Sequence, residues 1–179
     1  KYILYVGGFG PRKNIRGLLV AFAQVCREFP NEYLLVCPGL WQREGAGPED
    51  LIQALGLTGQ VLFPGYVPVN HLPWFYRGAS VFVYPSFYEG FGLPVLEAMA
   101  CGAPVITSNT SSIPEVAGDA ALLIDPHDAH HLAEAIIQVL SQPDLAEDLA
   151  EKGQIQAAKF SWQKTAQATA EVYRTLLSD

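Results

Sequence analysis

Short apolar runs and longer amphipathic stretches alternate along this chain. The runs predict six strands, at Tyr2–Val6, Tyr33–Cys37, Val61–Phe63, Val81–Tyr84, Val105–Thr107 and Ala121–Ile124. The residues of each run are almost all apolar, instead of alternating with polar ones. Unbroken apolar runs of this kind are typical of a parallel sheet that is buried on both faces.

Amphipathic stretches between most of the runs predict helices. Apolar residues recur every three or four positions from Asn14 to Phe29, the pattern of a helix packed along one side. A glycine-rich stretch at 40–48 predicts a loop, and Glu49–Leu55 predicts a short helix. After Ile124 the pattern is helical throughout, with helices predicted at Ala129–Ser141, Leu145–Lys159 and Trp162–Leu177.

Strands that alternate with helices predict an α/β fold. Right-handed crossovers between parallel strands give a doubly wound, Rossmann-like sheet of about six strands, with helices on both faces and further helices at the C-terminus. The 179 residues contain no internal repeat and no long linker, so 1–179 is predicted to be one domain. Ligands of such sheets bind at the carboxyl ends of the strands.

Composition and charge narrow the classes of function. The chain has 11 Lys and Arg against 18 Asp and Glu, a net charge of −7, which argues against a nucleic-acid interface. No apolar run approaches the ~18 residues of a membrane span, and the first run is too short for a signal peptide. The three cysteines form no CxxC pair, so we expect buried thiols and a cytoplasmic protein.

The loop after the first strand is a candidate phosphate site. Gly8 and Gly10 would let the backbone approach a ligand closely, and a helix start offers free N–H groups to an anion. Three basic residues lie within five positions, at Arg12, Lys13 and Arg16. The alternative is a solvated helix start at which Asn14 is the N-cap. The dinucleotide motif GxGxxG fails, because its third glycine is replaced by Lys13.

The richest segment follows the fourth strand. Gly90 and Gly92 predict a permissive loop, and a two-turn helix is predicted to begin at Pro94 and to end at Gly102. The free N–H groups of this helix would face the ligand edge.

Glu89 precedes the glycines and Glu97 lies one turn into the helix. Two such carboxylates could accept hydrogen bonds from sugar hydroxyls while the N–H groups hold phosphate oxygens. Taken alone, Glu89 also fits a surface acid and Glu97 a partner of the helix dipole.

The whole segment resembles the retaining GT-B glycosyltransferases of group 1, or family 4. Their mark is a glutamate, seven residues and a second glutamate, usually as E-G-F-G-L-P-x-L-E-A-M-A-x-G-x-P-V-I, which the stretch from Glu89 to Ile106 nearly matches. The similarity continues through 112–121 to the Phe160-Ser161-Trp162 ending. The Pro11-Arg12-Lys13-Asn14 segment has a form common among mannosyltransferase-like members.

This resemblance implies a role for each part of the domain. The family pairs two Rossmann-like domains, and this chain looks like the C-terminal, donor-binding one, without the N-terminal acceptor domain. Glu89 would be catalytic and would contact the donor sugar. The implied donor-binding residues are Gly8, Arg12, Lys13, Tyr66, Val67, Gly90, Phe91, Gly92, Leu93 and Glu97. Many members have an arginine at the position of Gly8, so a nearby basic residue would have to supply that charge.

The implied reaction is transfer of a sugar such as mannose from a nucleoside-diphosphate sugar, with retention. The acceptor would be a sugar or a lipid-linked glycan, reached through the missing domain at the cytoplasm or the cytoplasmic membrane face. No Asp-x-Asp motif occurs and the histidines are not spaced as ligands, so we expect no metal and no cofactor. The fragment alone should be inactive. Two alternatives are a non-catalytic nucleotide-sugar-binding module and a nucleotide-sugar epimerase of the same fold.

Three further patterns have structural interpretations. Ser112-x-x-Glu115 is the spacing of a capping box. The aromatic residues at 74–76 are expected to pack a helix. Trp162 is expected to lie in the core or to contact another domain.

Overall fold

A six-stranded parallel sheet forms the centre of the molecule. The computed structural model describes residues 1–39 and 48–177. The strands are β1 (Tyr2–Leu4), β2 (Leu34–Val36), β3 (Val61–Leu62), β4 (Val81–Tyr84), β5 (Val105–Ser108) and β6 (Leu122–Ile124). Their order is β3-β2-β1-β4-β5-β6, and every neighbouring pair is parallel. The predicted doubly wound α/β sheet is thereby confirmed, whereas the predicted loop at 40–48 lies, except for Pro48, outside the described residues.

Helices connect the strands and form the C-terminal part. They are α1 (Ile15–Glu28), α2 (Glu49–Ala54), α3 (Leu72–Gly78), α4 (Leu93–Ala100), α5 (Ile113–Ala117), α6 (Ala129–Ser141), α7 (Pro143–Ala157) and α8 (Trp162–Leu177). The predicted bounds of α6 and α8 are confirmed. The helix predicted from Pro94 begins one residue earlier, since Gly92 is its N-cap, and Gly102 follows its end with a φ of +75° as expected.

The core lies between the sheet and two helical layers. Helix α1 packs with α6, and α4 packs with α7. The central strands β4 and β5 are buried along their whole length, as unbroken apolar runs require. Gly153 permits the close approach of α7 to α4, because a Cβ there would lie 3.3 Å from Cγ of Met99. Helix α4 is thereby packed closely against α7.

The last helix differs from its prediction. None of the residues of α8 is buried, and Trp162 is 74% exposed, so its expected place in the core is wrong. The apolar side of α8 is present in the sequence but is left uncovered by the described chain. A contact of Trp162 with another domain remains a prediction.

Within residues 1–39 and 48–177, no helix has the combined length and hydropathy that crossing a bilayer requires.

Candidate functional site

The site forms where the strand order reverses. The chain leaves β1 toward β2 on one side and β4 toward β5 on the other, and this divergence opens a crevice at the carboxyl ends of β1 and β4. The two loops touch there, because the backbone N–H of Phe87 donates a hydrogen bond of 2.8 Å to the carbonyl of Arg12.

Asn14 joins the loops behind the crevice. Its side-chain oxygen accepts from the N–H of Gly17 at 3.2 Å, so Asn14 is the N-cap of α1, as the alternative interpretation of this loop held, but it is buried and not solvated. Its amide group also donates to the carbonyls of Pro85, at 3.1 Å, and Pro126, at 2.7 Å. The buried Asn14 side chain thus connects the loops that follow β1, β4 and β6.

Glu89 lies in the crevice with two cations. Its Oε1 accepts from Nζ of Lys13 at 2.7 Å, and its Oε2 accepts from Arg12 at 2.8 Å. The Glu89 residue is 8% exposed, and the Lys13 side chain is 12% exposed. The Arg12 side chain is 56% exposed and reaches the carboxylate from the solvent side. Two cations and one anion leave the cluster with one net positive charge, which suits an anionic ligand.

The carboxyl group of Glu89 is ionised at neutral pH. Burial raises its pKa, but the hydrogen bonds from Lys13 and Arg12 outweigh that effect and hold the pKa below the usual range. The ion pairs therefore stabilise the fold at pH values above the pKa that an ordinary carboxyl group has in the unfolded chain. Their contribution is lost as the pH falls through the lowered pKa of the folded state.

Two buried tyrosines make hydrogen bonds to this cluster and to the loop beside it. The hydroxyl of Tyr84 donates to Oε1 of Glu89 at 3.1 Å and accepts from Nζ of Lys13 at 2.5 Å. Burial raises the pKa of Tyr84, so its hydroxyl keeps its proton. The hydroxyl of Tyr5 donates to the carbonyl of Gly8 at 2.6 Å and fixes the loop after β1.

Glu97 stands on α4 with an exposed side chain. The hydroxyl of Tyr76, on α3, donates to its Oε2 at 2.9 Å. Tyr76 itself is 1% exposed. In the described part of the chain, no group donates to Oε1 of Glu97, and that oxygen is available to a ligand.

Two serines shape the glycine loop between these acids. The N–H of Glu89 donates to Oγ of Ser111 at 3.0 Å. The hydroxyl of Ser112 lies 2.9 Å from the carbonyl oxygen of Glu89 and 3.1 Å from that of Phe91. The predicted capping box is therefore wrong, since Ser112 makes no side-chain cap bond to α5. Its hydroxyl is engaged by the loop carbonyls instead.

The glycine loop leaves donors and space for a ligand. Leu93 is the first residue of α4, so its N–H has no partner within the helix. A Cβ added at Gly8 or at Gly90 would meet nothing within 4 Å. Phe91 and Leu93 are both exposed at the mouth of the loop. These four predicted residues, near Glu89 in the loops after β1 and β4, are therefore exposed or border open space.

Gly92→Ala is expected to destabilise the protein by about 2–3 kcal/mol. The φ of Gly92, +107°, is unfavourable for alanine, and the new Cβ would lie 2.6 Å from Cδ1 of the buried Ile113. Urea unfolding measures the change. The matched control is Gly90→Ala in the same loop, which should change the free energy of unfolding by less than about 0.5 kcal/mol. Equal stability of the two variants would contradict the expectation.

Tyr66 and Val67 lie apart from the acids. They follow the edge strand β3, which β2 and β1 separate from β4. At the usual strand spacing, β3 lies about 14 Å from β4. Gly65 connects this loop to the one after β2, since its carbonyl accepts from the N–H of Gly39 at 2.9 Å. Only an elongated ligand would reach both places.

Two supporting residues were not predicted from the sequence. Tyr84 was interpreted only as the end of a strand, and Tyr76 only as helix packing, which its burial confirms. Trp74, from the same aromatic run, is largely exposed. Over the described ranges, no group of three or more His, Cys, Asp or Glu side chains could hold a metal ion.

The six-stranded parallel sheet with helices on both faces defines a domain of the Rossmann-like α/β class. Residues 1–156 match the family described as glycosyl transferases group 1. The chain belongs to this family, and its fold is that of a GT-B glycosyltransferase domain.

Individual relatives agree with this assignment. The chain is 43% identical over 175 residues to O-antigen chain mannosyltransferase B of Escherichia coli, covering 98% of this chain and 46% of the relative. Sucrose-phosphate synthase from Thermosynechococcus elongatus superposes with a TM-score of 0.86 at 34% identity, over 99% of this chain and 45% of that one. An Anabaena protein solved with UDP-glucose, HepE, shares the fold at a TM-score of 0.85 and 22% identity, over 97% and 48% of the two chains. The chain spans about half the length of these relatives.

Proposed function

We propose that this chain is the donor-binding domain of a retaining hexosyltransferase that takes a sugar from a nucleoside diphosphate. The observation that carries the proposal is the buried Glu89 carboxylate held between Lys13 and Arg12 beside an open glycine loop. Membership of the group 1 family supports glycosyl transfer. The name of the Escherichia coli relative supports mannose as the sugar.

The proposed donor lies across the carboxyl edge of the sheet. Its diphosphate meets Arg12, Lys13 and the backbone around Gly8 and residues 90–93. The sugar meets Glu89, and the ribose hydroxyls meet Oε1 of Glu97. The base reaches the loop of Tyr66 and Val67, which follows β3, about 14 Å from β4 by strand spacing. A nucleotide sugar has the elongated shape that this layout requires.

The charges of the cluster fit the chemistry of transfer. When the bond between sugar and diphosphate breaks, negative charge grows on the phosphate oxygens and positive charge on the sugar ring. Lys13 and Arg12 stabilise the former, and the carboxylate of Glu89 stabilises the latter and orients a hydroxyl. The proposal gives this task to side chains, without a metal ion or a cofactor. Retention is carried over from the family resemblance.

The acceptor is proposed to bind to a further, N-terminal domain. The described crevice is open on its solvent side at Arg12, and the relatives are about twice as long as this chain. Residues 1–179 then form a single domain that does not transfer sugar alone. We propose a cytoplasmic location, at or near the membrane face where a glycan acceptor is presented.

Glu97→Gln is expected to weaken nucleoside-diphosphate binding about tenfold, the effect of losing one charge-assisted hydrogen bond. Glutamine keeps an acceptor for Tyr76 and removes only the negative charge that ribose hydroxyls would favour. Calorimetry of the intact protein with ADP, GDP and UDP, in the presence of EDTA, measures the dissociation constants.

The control is Glu151→Gln, which removes an exposed carboxylate on α7. Its dissociation constants should equal those of the wild type. If the wild-type protein binds none of the three nucleotides at millimolar concentration, the proposed donor site is wrong. If it binds one and Glu97→Gln binds it equally well, Glu97 is not a ribose ligand.

A further inference from the structure

Each of the two acids, Glu89 and Glu97, accepts a hydrogen bond from a buried tyrosine. Tyr84 donates to Oε1 of Glu89 at 3.1 Å, and Tyr76 donates to Oε2 of Glu97 at 2.9 Å. Both tyrosines are 1% exposed, whereas Glu97 is exposed and Glu89 opens toward Arg12. In both pairs, the tyrosine hydroxyl approaches from the protein interior.

One buried ring connects the two tyrosines. The ring of Phe82 is stacked on Tyr84, with centroids 5.9 Å apart, and meets Tyr76 edge to face at 5.4 Å. Phe82 and Tyr84 are two positions apart on β4, and their side chains therefore lie on the same face of the sheet. Close-packed rings of this kind hold their hydroxyl groups in fixed positions.

We infer that Tyr84 and Tyr76 are positioning residues, which fix Glu89 for catalysis and Glu97 for nucleotide binding. The inference rests on the proposed function. Each hydroxyl occupies one carboxylate oxygen and so sets the direction in which the rest of the carboxylate meets the donor. The hydroxyl of Tyr84 also accepts from Nζ of Lys13, and it therefore contacts both members of the ion pair between Lys13 and Glu89.

Removing the two tyrosine hydroxyls is expected to change different kinetic constants. Tyr76→Phe removes the hydroxyl that orients Glu97, so the KM for the donor and the dissociation constant of the nucleoside diphosphate should rise about tenfold. Binding of inorganic pyrophosphate, which lacks ribose, should change less than twofold. Tyr84→Phe removes the hydroxyl that orients Glu89, whereas Lys13 keeps its 2.7 Å hydrogen bond to Oε1 of Glu89. We therefore expect kcat at saturating donor to fall about tenfold while the dissociation constant of the nucleoside diphosphate changes less than twofold.

Tyr2→Phe is the matched control. It removes another tyrosine hydroxyl that bonds to α3, at the carbonyl of Phe75 at 2.7 Å, away from both acids. Its kinetic and binding constants should stay within twofold of the wild type. Circular dichroism and urea unfolding of all three variants verify that each is folded under the assay conditions.

The experiment separates two kinds of failure. It uses the intact protein, with ADP, GDP and UDP as binding probes. If the wild type binds no nucleotide, the proposed function fails. If the wild type binds and both variants match it, or if both lose kcat and affinity to the same extent, the tyrosines do not position the two acids as inferred.

Discussion

Glu89→Gln is expected to lower the turnover of the intact protein about 10²- to 10³-fold, while nucleoside-diphosphate binding is retained or strengthened. The carboxylate is buried, accepts from Lys13, Arg12 and Tyr84, and is ionised at neutral pH. Glutamine has one acceptor oxygen and no charge, so it cannot stabilise positive charge on a reacting sugar. Both cations then lose their carboxylate partner and become more available to phosphate oxygens.

Steady-state kinetics and calorimetry on the same preparation measure the two effects. Glu97→Gln is the matched comparison, since it makes the same chemical change eight positions later and should affect mainly binding. Unchanged turnover in Glu89→Gln would remove its catalytic role. It would then favour the non-catalytic nucleotide-sugar-binding module over an enzyme.

Asn14→Asp is expected to destabilise the protein by about 3–5 kcal/mol. The aspartate keeps the acceptor that caps α1, but it loses both amide donors to Pro85 and Pro126. Two carbonyls then lack a partner, and a buried negative charge faces them. Urea unfolding at pH 7 measures the loss.

Asn31→Asp provides the control for this substitution. Asn31 has a φ of 58°, close to the 54° of Asn14, but its side chain is exposed. The same change there should alter the free energy of unfolding by less than about 0.5 kcal/mol. Comparable losses in both variants would show that backbone conformation, and not the connection between loops, sets the stability at Asn14.

Periodic patterns predicted most of the fold. Apolar runs located all six strands, and the stripe from Asn14 to Phe29 located α1, because burial on a sheet leaves a local signature in sequence. Handedness rules then gave the doubly wound arrangement. Trp162 shows the limit of this reasoning, because amphipathic spacing predicts an apolar side but not which surface covers it.

The site was predicted less completely than the fold. Motif spacing selected Glu89, Glu97 and the glycine loop. The ion pair of Arg12 with Glu89 joins residues 77 positions apart, and no local pattern carries such a contact. The hydrogen bonds of Tyr76 and Tyr84 to the two acids could not be predicted from the sequence for a related reason. A tyrosine in a buried strand or helix is explained by packing, whether or not its hydroxyl also makes a hydrogen bond.

The stacked rings beneath the two acids also govern the entropy of association. A flexible side chain that becomes ordered on binding costs about 0.5–1.5 kcal/mol. Glu89 and Glu97 are each restrained by an interior hydroxyl, and this penalty is reduced for both in the proposed binding of a donor. The two acids are thus preorganised for the proposed donor, together with the guanidinium of Arg12, which donates to Oε2 of Glu89 at 2.8 Å and to the carbonyl of Tyr88 at 3.2 Å.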